Sequence, residues 1–284
     1  MKSVWIIARM TFREAVRRRI VATGLVLGIC FLIIFSVGFH MVIAQINSNY
    51  MHAASETEIN LMRSQATNFF FLAGMYAVAF LCIAMGALLG ADSLTGEINS
   101  GAIQTIVTKP IQRSAVVLGK WVGFVGLLGV YYLIIAGGTV VSLLVQANYL
   151  APHLPAGLAL IFLEVLLMMT VSLAFSSSFS ALATGGAVFG LYGLGFLGGW
   201  IEQIGAVLQN TTAVKIGIIT SLLIPSESLW RRAAYEMQTP LSSVFGISPF
   251  GTTSVPSALM VAYAAVYLLV CLYLGIRNFT TRDL

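Results

Sequence analysis

Residues 165–201 contain no charged side chain. In water a stretch this apolar would need a whole domain to cover it. In a bilayer it needs only self-satisfied backbone hydrogen bonds, which restricts it to helices or a closed barrel. Barrel strands would show ~10-residue alternating segments, and this run is continuous. It is also too long for one span, since ~20 residues cross the hydrocarbon core. Ser176, Ser177, Ser178 and Ser180 supply the natural break. The same logic along the chain predicts six spans, near 20–43, 68–91, 119–146, 156–175, 181–200 and 257–276. The expected fold is an all-α polytopic membrane protein, with residues 1–284 forming a single transmembrane domain.

Composition agrees. Hydrophobic residues make up 58% of the chain and charged residues 9%, where a soluble domain carries roughly 25% charged residues. The net charge of +5 therefore reads as topology, and nucleic acid is not expected as a partner. Cys30, Cys82 and Cys271 all fall in apolar runs, odd in number and far apart. A disulfide framework or a zinc site is not expected from them.

Orientation follows from Lys and Arg, which concentrate on the cytoplasmic side. With the N-terminus inside, that side holds Lys2, Arg9, Arg13, Arg17, Arg18, Arg19, Lys109, Arg113, Lys120, Arg277 and Arg282, eleven of the fifteen basic residues. Arg63, Lys215, Arg231 and Arg232 fall outside. Both termini are thus expected in the cytoplasm of a multi-pass cell-membrane (inner-membrane) protein. The first apolar run begins near residue 20 and is too long for a signal-peptide core, so no cleavable signal is expected.

Three segments between the spans carry pattern. Residues 3–19 form a basic amphipathic helix, with Arg9, Arg13 and Arg17 on one line and Trp5, Ala8, Phe12 and Val16 on another. This pattern suits a helix lying along the headgroups with Trp5 and Phe12 inserted. Residues 92–120 interrupt the apolar runs with two acids and three bases. Over 92–110 the spacing predicts a cytoplasmic helix, with Leu94, Ile98, Ala102 and Ile106 on one stripe, widened by Ile103 and Val107. Asp92 or Ser93 caps it, Glu97 lies in its early turns, Lys109 suits its C-terminal dipole and Pro110 ends it. Residues 201–256 are too long and too apolar for a plain outer loop. Within them 213–224 is apolar but too short to span, so a re-entrant or interfacial helix pair with Pro225 as its break is expected.

Few residues point to chemistry. Glu164 is the one acid well inside a predicted span, and an intramembrane carboxylate is a functional candidate for a translocation path or ion site. A structural carboxylate bonded to a neighbouring helix is the competing reading. His40, His52 and His153 lie toward the outer side, with Met41 and Met51 beside two of them, but no pair has ligand spacing on a helix. Gly193-Leu-Gly195-Phe-Leu-Gly198 matches GxGxxG inside a span, where no strand precedes it, so a dinucleotide site is not expected. No phosphate-binding GxxxxGK[ST] exists: Gly119-Lys120 runs into Trp121. No catalytic residue and no cofactor or metal held by this chain is expected. Asn210-Thr-Thr212 is an acceptor sequon for a secreted context, and the serines at 176–180 have no nearby catalytic partner in a span. Glycine pairs at GxxxG spacing, Gly24/Gly28, Gly86/Gly90, Gly119/Gly123, Gly186/Gly190 and Gly195/Gly199, are candidates for close helix approach, some of them chance among 27 glycines.

The segment Glu97-xxx-Gly101 … Ile106-Val107-xx-Pro110-xx-Arg113 … Lys120 resembles the E-xxx-GT…LL-xx-P-xx-R…K pattern of ABC-2 type transporter permeases. It departs from it at Ala102 and at Ile106-Val107. The ends ARMTFREAVRRRI and RNFTTRDL resemble the NosY-like branch, associated with multicopper-enzyme maturation. The resemblance implies that 92–110 is a coupling helix docking on a separate ABC ATPase subunit, where ATP and Mg would be bound. Leu94, Glu97, Ile98, Gly101, Ala102, Ile106, Lys109, Pro110 and Arg113 would form that docking surface. It also implies a second permease copy, as a homodimer or a heterodimer, and an outer gate at 201–256. The competing expectation is a stand-alone ion-coupled transporter or channel using Glu164, and a third is a membrane assembly factor without transport.

Overall fold

The computed structural model describes residues 2–50, 56–96, 112–239 and 255–281. Among the described residues the chain forms nine helices and no strand: α1 (Lys2–Val16), α2 (Arg19–Tyr50), α3 (Glu56–Ser93), α4 (Arg113–Ala147), α5 (Leu154–Ser176), α6 (Ala181–Val207), α7 (Thr211–Leu223), α8 (Ser226–Met237) and α9 (Ala258–Thr281). Six of these, α2 to α6 and α9, are long and apolar enough to cross a membrane. The serine break falls where the sequence places it. Helix α5 ends at Ser176, and the Ser180 Oγ accepts a hydrogen bond from the Ala183 N–H at 3.3 Å, capping α6.

The first three spans outrun their expected lengths. Helix α3 has 38 residues, about 57 Å at 1.5 Å per residue, where the core needs ~30 Å. Its outer turns, expected as loop before residue 68, are helical from Glu56. There Arg63 donates to the Asn47 Oδ1 at 2.8 Å, and the Thr67 hydroxyl donates to the Arg63 carbonyl at 2.7 Å. Polar side chains that tie two antiparallel helices together let both continue beyond the lipid.

Helix α5 is the hub. It packs against α3, α6, α8 and α9, and most of its circumference is buried. The Ser172 Oγ donates to the Ala87 carbonyl across the α3 contact, beside Gly90. The Trp121 Nε1 donates to the Thr170 Oγ1 from α4. Helices α2 and α9 lie at the periphery with large exposed apolar faces.

Helix α1 departs from its expected placement. It packs along the base of α4, with Ile7 over Gly119 and the Ala8 carbonyl and Thr11 over Gly123. The face turned inward is Ala8, Thr11 and Ala15, while Trp5 is 70% exposed. So the glycine pair on α4 serves this amphipathic helix rather than another span. Phe12 packs partly on the core, near Gly126, instead of reaching freely into lipid. Of the other glycine pairs, Gly24/Gly28, Gly86/Gly90 and Gly195/Gly199 touch neighbouring helices, whereas Gly186 and Gly190 face open space.

Helices α7 and α8 are bent by 105° at Ile224-Pro225. Helix α7 runs antiparallel to α6, with Ala213 beside Gly205 near the outer end and Thr220 beside Gly198 further in. The turn reaches the level of Gly195, and α8 then returns until Met237 meets Gly157 at the outer end of α5. With 13 and 12 residues, neither helix spans the bilayer, so the pair is a re-entrant hairpin, as expected. The Tyr263 hydroxyl donates to the Leu222 carbonyl at 2.6 Å, tying α7 to α9.

Candidate functional site

Two places gather polar side chains against the apolar trend. The first is the end of the bundle where α3 leads into residues 97–111. The Arg18 Nη1 donates to the Asp92 Oδ2 at 2.8 Å, and its Nη2 donates to the Glu14 Oε1 at 2.7 Å. The Lys120 ammonium, though 5% exposed, donates to the Ser93 carbonyl. The Thr95 hydroxyl bridges the carbonyls of Ser176 and Phe179 at 2.8 and 2.9 Å, at the end of α5 where helix carbonyls lack partners. On the far side Arg113 donates to the Thr280 carbonyl near the end of α9 at 3.2 Å. The described residues on either side of 97–111 are therefore tied to the last turns of two spans.

Of the expected docking residues, Glu97, Ile98, Gly101, Ala102, Ile106, Lys109 and Pro110 lie outside the described residues. Arg113 is half-buried at the start of α4. Leu94 is a correction. It is fully buried and belongs to the main apolar core, because the chain at Leu94 and Thr95 is still packed against α5. It anchors the segment and offers no face to a partner.

The second place is inside the membrane. Glu164 is 1% exposed on α5, about 15 Å along the helix from its outer end at 1.5 Å per residue. It is not the sole buried acid, as the sequence suggested. Glu227 on α8 is 3% exposed and Glu202 on α6 is 7% exposed. Glu202 is held by Arg231 of α8, itself 2% exposed: Nη2 donates to Oε2 at 2.9 Å, and Nη1 lies 2.8 Å from Oε1. The Ser221 Oγ accepts from Arg231 at 3.3 Å. Such geometry suits guanidinium and carboxylate in a low dielectric.

Glu227 and Glu164 have no such match. The charge of Glu227 bears on Glu164, and the charge of Arg231 bears on Glu227. Tyr76 of α3 and Tyr192 of α6 lie beside each other within electrostatic reach of both acids. One carboxylate oxygen of Glu164 and one of Glu227 are buried with no hydrogen-bond partner. The aromatic wall is close: Trp230 meets Tyr76 edge-on at 4.8 Å between ring centroids, and Phe196 lies at 6.2 Å.

The GxGxxG letters on α6 find their use here as packing. Gly195 faces Ser226 and Ile224, Gly198 faces Thr220, and the adjacent Gly199 faces the Glu227 side chain. A Cβ at any of them would push α7 or α8 away. The reasoning from sequence missed Glu202, Glu227 and Arg231 because they fall in a stretch assigned to the outer surface. The available signal was Glu227-xxx-Arg231 on one helical face, next to Trp230, with Glu202 closing the long uncharged run. Among the described residues no three His, Cys, Asp or Glu side chains converge as a metal site. His40 and His153 are exposed, and His52 lies outside the described residues.

Comparison with curated proteins finds no match. The family model described as ABC-2 family transporter protein matches residues 5–284, from within α1 to the last residue, and so includes the contacts that flank 97–111, the six spans and the re-entrant hairpin. The match and the six-span helical architecture together place this chain in the ABC-2 family of transporter membrane proteins, as a transport component that is not itself catalytic.

Proposed function

We propose that the chain is the permease subunit of an ATP-driven exporter in the cell inner membrane, moved by a separate ABC ATPase that docks on residues 92–113 from the cytoplasm. The observation that carries this reading is the clamp on that segment. A motor that pushes on a loose loop moves only the loop. Here Thr95 is tied to the end of α5, Asp92 to Arg18, Lys120 to Ser93, and Arg113 to the end of α9. A displacement of the segment is therefore delivered to the hub helix and to α1, α4 and α9 together. The docking face is assigned to Ile98, Ala102 and Ile106, rimmed by Glu97, Lys109 and Arg113, with Leu94 holding the segment to the bundle.

Nucleotide and Mg belong to the ATPase, and two ATPase subunits call for a second permease copy in the same membrane. The positive-inside distribution of Lys and Arg supports cytoplasmic termini. The re-entrant hairpin serves as the outer gate, and rigid tilting of α5 transmits motion to it.

Co-purification tests the assignment. Ile106→Asp or Glu97→Arg is expected to reduce recovery of the ATPase with the permease at least about tenfold, equivalent to ~1.4 kcal/mol of docking energy, while the permease keeps its size-exclusion profile. A fully coupled complex with either variant would remove the segment from the docking role. The stand-alone reading predicts instead gradient-driven uptake in liposomes holding this chain alone and no effect of either substitution.

A further inference from the structure

Three buried carboxylates, Glu164, Glu202 and Glu227, share one buried guanidinium. Arg231 is ion-paired with Glu202, to which its Nη2 donates at 2.9 Å. Full ionisation would leave two negative charges inside the bundle, each costing several kcal/mol to desolvate. One oxygen of Glu164 and one of Glu227 have no donor pointing at them, although a buried carboxylate normally collects several. An unpartnered oxygen on each of two neighbouring acids marks where hydrogen can be held.

We propose that Glu164 and Glu227 together form an intramembrane proton-binding site, and that the proton keeps the re-entrant hairpin seated against α5. With a proton on the pair, α8 rests on α5, where Met237 packs on Gly157. When the proton leaves, two carboxylates repel across the α5–α8 contact, and α8 moves toward the outer side, where water solvates Glu227. The step is a simple dissociation: the carboxyl O–H breaks, the electron pair stays on the carboxylate and the proton passes to outer water. Seating α8 again takes up one proton.

The groups facing this pair come from every neighbouring element. Tyr76 comes from α3, Tyr132 from α4, Tyr192 and Glu202 from α6, and Arg231 from α8 itself. Helix α9 carries no charge before Arg277, and the one charge on α7, Lys215, is exposed. Arg231 is thus the single cation whose charge bears on either acid among the described residues, and it is already paired. The proton site belongs to this chain alone, so it stands or falls separately from ATPase docking.

Two measurements test it on the purified full-length permease in lipid. Infrared spectroscopy of the wild-type protein at neutral pH should show a protonated-carboxyl band. The band should shift on deuteration and weaken in Glu164→Gln or Glu227→Gln. Its absence from the wild-type protein, or its persistence unchanged in both variants, overturns the proposal. The second measurement places a cysteine at Ser228 after Cys30, Cys82 and Cys271 are replaced by alanine. Its labelling by a membrane-impermeant thiol reagent is followed from about pH 6 to about pH 10, a range that brackets buried carboxyl groups. Relative to the same cysteine in the Glu164→Gln/Glu227→Gln double variant, which cancels the ionisation of the thiol itself, the rate should rise about tenfold, the free energy of one pK unit. A ratio that stays flat with pH overturns the link between the proton and α8.

Discussion

At the scale of single residues, the sharpest contrast is between the Arg18–Asp92 and Arg231–Glu202 pairs. Arg18 and Asp92 have partly exposed side chains, 23% and 46%, and a pair in that setting contributes about 0–1 kcal/mol. Its value is positional. Arg231 and Glu202 are nearly dry, so breaking their pair strands a charge, which costs about 3–5 kcal/mol. Arg231→Met should therefore lower the thermal midpoint of the detergent-solubilised protein by many degrees, far more than Arg18→Met. The double variant Glu202→Gln/Arg231→Met should recover most of that loss, because the Glu202 carboxylate is no longer left without its partner. Equal midpoints for the single and double variants would show that the pair is not the source of the cost.

At the scale of elements, much was legible because lipid leaves a chain few options. Six apolar runs became six spans, and the serines after α5 and Pro225 after α7 ended helices where their chemistry says they should. Elements that owe their place to partners were harder to read. Helix α8, SESLWRRAAYEM, has the composition of a surface helix, yet Glu227, Trp230 and Arg231 are buried. Its burial depends on Glu202, 29 residues away from Arg231, and no local period encodes that. Helix α1 was legible as amphipathic, but an apolar stripe reads the same whether lipid or Gly119 and Gly123 cover it. The helix expected over 92–110 lies mostly outside the described residues, and what the structure adds is the packing of Leu94, Thr95 and Arg113 beside it. The seat of α1 is directly testable. A side chain at Gly123 would strike the Ala8 carbonyl and Thr11, so Gly123→Leu should lift α1 off α4. Limited proteolysis from the cytoplasmic side should then cleave near Arg9 and Arg13 much faster than in the wild type, while Gly186→Leu, at a position with open space, leaves cleavage unchanged. Protection that survives Gly123→Leu would mean that lipid, and not α4, holds α1.

For the whole molecule, the question is whether the contacts flanking 97–111 and the re-entrant hairpin at the opposite end of the bundle move as one. They share α5: Thr95 holds its inner end, Met237 packs on Gly157 at its outer end, and Glu164 lies between. A rigid helix held at both ends transmits tilt, so arresting its outer end should stall whatever drives its inner end. The contact of Met237 with Gly157 offers the means. The Met237 Cγ sits against the position of a Gly157 Cβ, and Cγ is one bond from its own Cβ, so cysteines at both positions have Cβ atoms at most about 3.8 Å apart, at the short end of the ~3.5–4.5 Å separation of a disulfide. Gly157→Cys/Met237→Cys, in a background without the native cysteines, should cross-link on oxidation and pin α8 to α5. ATP turnover by the permease–ATPase complex is then expected to fall about tenfold, a barrier change of ~1.4 kcal/mol, and to return with reductant, while the ATPase still co-purifies. Undiminished turnover in the fully cross-linked protein would separate the hairpin from the motor and leave α5 a static post. Loss of turnover that reductant restores would make α5 the lever between them.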